Sequence, residues 1–193
     1  LSNMLADLQK GRISQSDESA FEGGVNVGTT PGQVVYENEL FQLIQYTPTT
    51  PNVRTVPLVM IPPCINKFYI LDLQPENSLV HYVVEQGNTV FMVSWRNPGR
   101  ELGNLKWDDY VEQGAIRALD VVSEISGHDK AHVFGFCVGG TIAATALAVL
   151  AERGRHPGAS LSLLTTLLDF SDTGVLEVFV DETQVALREQ HLG

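Results

Sequence analysis

The sequence is poor in cysteine and in basic residues. Only two of its 193 residues are cysteines, Cys64 and Cys137, and they lie far apart along the chain. This number and spacing argue against a disulfide framework and against a zinc site, and they favour a reduced, cytoplasmic protein. Twelve lysine and arginine residues against 23 aspartate and glutamate residues give a net charge of −11. That balance argues against a surface that binds nucleic acid or anionic membranes.

Long apolar segments are missing as well. No run of 18 apolar residues predicts a membrane span, and no basic stretch before an apolar run indicates a secretion signal. The composition, with 44% hydrophobic and 18% charged residues, is nevertheless that of a globular chain. Because the chain begins with Leu1 and stops abruptly at Gly193, we expect a fragment of a longer protein.

The pattern of apolar residues predicts strands that alternate with helices. A short helix and a polar linker are expected over residues 1–31, and alternating residues at 33–36 and 41–46 predict a hairpin. Continuous apolar runs are typical of parallel strands covered on both faces. Four such runs follow, at 57–61, 89–93, 130–135 and 161–165.

Helical patterns separate these runs. Residues 77–86 predict one helix, and residues 138–152 are apolar nearly all round, which predicts a buried helix. At 107–126 the apolar residues, beginning with Trp107 as an expected core residue, recur every three or four positions on one face. The alternation predicts an α/β fold with a mostly parallel sheet and a leading antiparallel hairpin at one edge.

The most informative motif is Gly135-Phe136-Cys137-Val138-Gly139, which follows an apolar strand and opens a helix. This context is that of the nucleophile elbow of α/β-hydrolases, with cysteine in the place of serine. The expected sharp turn presents Cys137 above the sheet at a helix N-terminus, where the dipole favours a thiolate. The Val138 N–H then points to where an oxyanion would form.

A second motif, Pro62-Pro63-Cys64-Ile65-Asn66, follows the strand expected to lie beside the elbow strand. The corresponding loop of α/β-hydrolases supplies a second oxyanion N–H. Proline has no N–H, so the donor must be Cys64, Ile65 or Asn66. The alternative interpretation is a rigid proline turn with a buried cysteine. No metal site and no cofactor site are predicted.

Two other features leave alternatives open. Trp95 and Arg96 follow another predicted strand at the same edge, and a role in anchoring the loop is favoured over one in lining a substrate pocket. A nucleophilic cysteine also needs a base and an acid that orients it. Asp169 and His191 follow Cys137 in the required order, but the simpler expectation places both groups beyond Gly193.

Six segments together resemble polyhydroxyalkanoate synthases, more closely the short-chain than the medium-chain type. The resemblance covers essentially the whole chain. The segments are 17–21, 62–67, 69–73, 94–98, 135–141 and 167–170.

The resemblance implies a specific fold and activity. It implies an α/β-hydrolase core at 32–172, truncated before its last strands, with residues 173–193 as the start of a lid. Cys137 would carry the growing chain as a thioester while the enzyme polymerises (R)-3-hydroxyacyl-CoA into polyester and releases CoA. The family's acid and histidine follow the lid.

The resemblance also implies a homodimer of the full-length protein and a location in the cytoplasm or at the polymer granule surface. Two alternatives remain open at this point. One is a cysteine-dependent hydrolase or thioesterase of the same fold, and the other is a non-catalytic fragment.

Overall fold

The computed structural model describes residues 18–179 and 181–192, so the helix expected near residues 3–10 lies outside the described residues. A six-stranded sheet forms the centre of the described chain, in the order β1-β2-β4-β3-β5-β6. The strands are β1 Gly32–Glu37, β2 Phe41–Tyr46, β3 Leu58–Ile61, β4 Val90–Trp95, β5 Ala131–Phe136 and β6 Gly158–Leu164.

Strand direction follows from the length of the connections. Three residues join β1 to β2, which suits an antiparallel hairpin, and β2 is also antiparallel to β4. The longer helical connections leave β4, β3, β5 and β6 parallel to one another. The predicted mostly parallel sheet with a leading antiparallel hairpin is therefore confirmed.

Among the described residues, four α-helices of at least 7 residues flank or follow the strands, and we number them along the chain. The Oγ of Ser78 accepts the N–H of His81 at 2.8 Å and caps the first helix, whereas the second ends at Gly127 in a left-handed conformation. Their bounds are α1 Leu79–Glu85, α2 Arg117–Ser126, α3 Val138–Glu152 and α4 Glu182–Leu192.

The helix predicted at 107–126 is not uniform. A short α-helical segment, Trp107–Asp109, leads into a π-helical segment, Tyr110–Ile116, which continues as α2. The predicted apolar face is buried only in its middle. Trp107 is 42% exposed, so the expectation of a core residue was wrong, because the first turn of the helix lies outside the buried cluster.

Two hydrophobic clusters cover opposite faces of the sheet. Val59, Ile61 and Phe91 belong to the first cluster, together with the π-helical segment, α2 and α3. Alternate residues of the same strands, such as Met60 and Met92, belong to the second cluster with α1. Burial on both faces explains why these strands read as continuous apolar runs.

The far edge of the sheet departs from the prediction. Leu161, Leu163 and Leu164 of β6 are 39%, 38% and 42% exposed, so the apolar run of this strand does not mark coverage on both faces among the described residues. Helix α3 is likewise buried along one face rather than all round. An apolar run shows what a strand can bury, whereas its coverage depends on which elements pack against it. On the second face of the sheet, for example, α1 packs against β4.

Within the described residues no helix is long and apolar enough to cross a bilayer.

Candidate active site

Cys137 lies at the turn between β5 and α3, as the strand–turn–helix pattern predicted. Its backbone angles are φ 53° and ψ −130°. A side chain other than glycine rarely adopts a positive φ, and holding it there costs about 1–3 kcal/mol. Such strain persists only where the surrounding structure enforces it, and it marks Cys137 as a candidate functional residue.

Two glycines make this turn possible by close approach of the backbone. A Cβ on Gly135 would collide with the Cα of Gly140, one turn into α3. A Cβ on Gly139 would lie 2.5 Å from the carbonyl carbon and oxygen of Pro62. The glycines of the motif thus bring the elbow against both α3 and the loop after β3.

The backbone around the elbow is held from both sides. The Cys137 N–H donates to the Leu164 carbonyl at 2.9 Å, and the Cys137 carbonyl accepts the Gly140 N–H at 2.9 Å. Thr141 donates its hydroxyl to the Leu167 carbonyl at 2.9 Å. Val138 is the first residue of α3, and the N–H of a first helical residue has no acceptor within its own helix.

The loop after β3 lies beside the elbow because Ile61 of β3 pairs with Gly135 of β5. Within this loop the Asn66 N–H donates to the Pro63 carbonyl at 3.3 Å and closes a turn. Asn66 was one of the expected oxyanion donors, and its amide is thus engaged in this conformation. The Cys64 and Ile65 amides are the remaining predicted donors, and the Ile65 side chain is 78% exposed.

The two cysteines are both free and half-buried. Burial raises the pKa of the Cys64 thiol; its own backbone N–H lowers that pKa, and the charge of Cys137 raises it. Burial and the charge of Cys64 likewise raise the pKa of Tyr110. The three side chains are therefore close enough to interact, with Cys64 as a poorly ionised neighbour of the candidate nucleophile.

Trp95 anchors the loop, as the sequence favoured. Its buried indole Nε1–H donates to the Pro62 carbonyl at 2.7 Å. Arg96 forms an exposed ion pair with Glu101 at 3.4 Å. Ser94, Trp95 and Arg96 also line a groove of about 420 Å³, so the alternative of a pocket at this loop has a structural counterpart. Cys137 is not among the residues that line this groove.

The structure does not bring a complete catalytic triad together among the residues it describes. The Asp169 carboxylate is exposed and accepts the Ser171 N–H at 2.9 Å, which lowers the Asp169 pKa. The side chain of His191 lies outside the described residues. Among the residues that the structure describes, no group of three or more histidine, cysteine, aspartate or glutamate side chains could hold a metal ion.

Sequence reasoning missed the π-helical segment and its relation to Trp95. A Cβ on Gly114 would lie 2.7 Å from the Cη2 and Cζ3 atoms of the Trp95 ring. The available signal was the glycine itself, because a glycine inside a helical pattern often marks close packing.

Comparison with known proteins gives two family matches. A family model described as "Poly-beta-hydroxybutyrate polymerase (PhaC) N-terminus" matches residues 1–83, and one described as "alpha/beta hydrolase fold" matches residues 57–190.

Curated relatives match nearly the whole chain. The Poly(3-hydroxyalkanoate) polymerase subunit PhaC of Cupriavidus necator is 66% identical over 99% of this chain and 32% of its own length. The Poly(3-hydroxyalkanoate) polymerase of Methylorubrum extorquens is 43% identical over 96% of this chain and 31% of its own length. The chain thus spans about a third of the length of these relatives. The predicted resemblance to polyhydroxyalkanoate synthases is confirmed.

A solved structure shows the same fold. A structure from a study of two esterases of Rhizomucor miehei superposes with a TM-score of 0.58 at 15% sequence identity. The match covers 86% of this chain and 52% of that one.

Proposed function

Because this chain belongs to the α/β-hydrolase fold family, and because its relatives are polymerases of hydroxyalkanoates, we propose that it carries the nucleophile of a polyester synthase. The substrate is an (R)-3-hydroxyacyl-CoA thioester, the products are polyester and free CoA, and Cys137 is the acyl carrier. The observation that carries the proposal is the positive φ of Cys137 at the β5–α3 turn.

Acylation is the first chemical step. A histidine of the full-length protein beyond residue 193, oriented by an acid, takes the Cys137 thiol proton, and the thiolate attacks the thioester carbonyl carbon. A new C–S bond forms, and the carbonyl oxygen becomes an oxyanion stabilised by the N–H groups of Val138 and Ile65. The bond to the CoA sulfur then breaks, and CoA leaves with the proton that the histidine carries.

Chain growth is the second step. The same histidine takes the proton of a 3-hydroxyl group, whose oxygen attacks the acyl carbon of an enzyme-bound thioester. An ester C–O bond forms, a C–S bond breaks, and the histidine returns its proton to the departing sulfur. Water would compete with the hydroxyl and end the chain, so the site must exclude it.

The experiment measures three products from the protein translated from the complete reading frame that contains these residues, here called the full-length protein. With (R)-3-hydroxybutyryl-CoA we expect CoA release to be matched by polymer. CoA release matched by free 3-hydroxybutyrate would identify a hydrolase or thioesterase of the same fold instead. Cys64→Ser serves as the matched control for Cys137→Ser, because only the latter removes the acyl carrier.

Other parts of the proposal concern organisation. We propose residues 32–172 as the catalytic core, residues 1–31 as an N-terminal helix and linker, and residues 173–193 as the start of a lid. Exposed Val175 and Val178, both 79% exposed, would suit a lid that contacts an apolar polymer. A homodimer in the cytoplasm or at the granule surface is expected from the family resemblance, and sedimentation of the full-length protein tests it.

A further inference from the structure

The Pro62 carbonyl is the point where three parts of the molecule meet. The Trp95 indole donates to it from β4, with the side chain only 6% exposed. Gly139 of α3 also approaches so closely that a Cβ would lie 2.5 Å from it. Gly139 is two residues after Cys137, so the peptide of Pro62 is fixed between the end of β4 and the nucleophile elbow.

This position matters because the two prolines of the loop limit how its backbone can be held. Neither Pro62 nor Pro63 has an N–H to donate, so carbonyl groups carry the hydrogen bonds in this part of the loop. The Ile65 amide, the second oxyanion donor of the proposed function, lies only three residues after Pro62. A shift of the Pro62 carbonyl would therefore move this donor relative to Val138.

The Trp95 ring itself is packed between two aromatic side chains and the π-helical segment. Phe41 meets it edge-on, with ring centroids 6.2 Å apart, and Tyr110 lies at 5.5 Å. The π-helical segment supplies the third wall, where Gly114 leaves room for the far edge of the indole. A side chain at Gly114 would displace the Trp95 ring and so change the geometry of its hydrogen bond to the Pro62 carbonyl.

We infer that Trp95 is a positioning residue for the oxyanion hole, and that Gly114 in the π-helical segment leaves the space that holds the Trp95 ring in place. The inference rests on the proposed function. The indole N–H holds the Pro62 peptide against Gly139, and this contact sets the distance between the Ile65 and Val138 amides. Loss of this one hydrogen bond suffices to loosen the loop.

The test removes the hydrogen bond while keeping the ring. In the full-length protein, Trp95 is replaced by 3-benzothienylalanine, which has the shape of tryptophan but no N–H. Loss of an oxyanion donor typically lowers kcat by about 10²–10³, so loosening one should lower kcat roughly tenfold, with KM within about twofold. The same replacement at the exposed Trp107 is the matched control and should leave both constants unchanged.

A second readout separates positioning from a merely structural role. Alkylation of Cys137 by iodoacetamide forms no oxyanion, so its rate should stay within about twofold when acylation by substrate falls. A parallel fall in both rates, or an unchanged kcat, would overturn the inference. Gly114→Ala should reproduce the loss of acylation, and a fully active alanine variant would also overturn it.

The activity of the wild-type protein distinguishes a failure of the proposed function from a failure of the inference about Trp95. If the wild-type protein forms no acyl-enzyme, the proposed function fails and this inference falls with it. If the wild-type protein turns over and the benzothienyl variant equals it, only the inference fails. Urea unfolding of each variant checks that the fold is retained.

Discussion

Strands β3 and β6 are both short, apolar and parallel to β5, yet their surroundings differ. Met60 and Ile61 of β3 are fully buried, whereas the leucines of β6 are about two-fifths exposed. We call the part of the sheet around β3 the enclosed half and the part around β6 the open half. The enclosed half carries the proposed nucleophile and both proposed oxyanion amides. The open half borders the same elbow through the Leu164 carbonyl.

The largest expected effect concerns the enclosed half. In the full-length protein, Cys137→Ala should lower polymer synthesis below about a thousandth of wild type, because covalent transfer loses its acceptor. The small change in volume should cost only about 1–2 kcal/mol of unfolding free energy. Polymer yield and urea unfolding measure the two quantities. Polymerisation retained above that level would show that Cys137 has a structural role only.

The difference between the two halves also explains what the sequence could predict. Periodicity identified the strands, the hairpin and the elbow, because each depends on residues close together along the chain. It could not predict whether a neighbour covers β6, nor that the first turn at Trp107 lies outside the core. Coverage is a property of the whole assembly, and an apolar run looks the same in both cases.

The candidate site divides in the same way. The glycines at 135 and 139 and the cysteine between them predicted the strained turn directly. The contact of Trp95 with Pro62 joins residues 33 positions apart, and no local pattern reports it. Similarly, only the structure shows that the turn of the proline loop engages the Asn66 amide.

A pair of core substitutions should break or sharpen the comparison directly. In residues 1–193, Ile61→Ala should lower the free energy of unfolding by about 3–4 kcal/mol, because it opens a cavity in an enclosed core. Leu163→Ala should cost less than about 1 kcal/mol in the same chain, because its side chain already meets solvent. Urea unfolding of both variants gives the values.

The same pair in the full-length protein tests whether the open half becomes covered. There Leu163→Ala should cost about 2 kcal/mol or more, close to a buried leucine, while the cost of Ile61→Ala stays the same. An equally small cost of Leu163→Ala in both contexts would mean that β6 remains open, contrary to the proposed core arrangement.

A smaller effect separates the two thiols of the enclosed half. Burial raises the Cys64 pKa, so at pH 7.5, about one unit below an ordinary thiol pKa, Cys64 is less ionised than a free cysteine. Because the thiolate is the reactive form, iodoacetamide should modify Cys137 roughly tenfold faster than Cys64. Mass spectrometry of partly alkylated protein measures the ratio. Equal rates would remove the argument that the elbow activates its cysteine.

The smallest effect lies on the second face of the enclosed half, where Tyr46 is buried and its hydroxyl has no hydrogen-bond partner among the described residues. Burial, and then the charge of Asp72, raise the Tyr46 pKa. Asp72 itself is held by the hydroxyl groups of Thr30 and Ser78.

The sign of the pH effect follows from that shift. The unfolded chain loses the tyrosine proton near pH 10 while the folded chain keeps it, so stability is complete below about pH 10 and falls by up to about 1.4 kcal/mol per pH unit above it. Tyr46→Phe removes an unpaired buried hydroxyl and should stabilise the protein by about 0.5–1 kcal/mol at pH 8. The advantage should widen between pH 10 and 11 in urea unfolding, with Tyr82→Phe, an exposed tyrosine, as the control. A constant difference across this range would mean that Tyr46 ionises as readily in the folded chain as in the unfolded one.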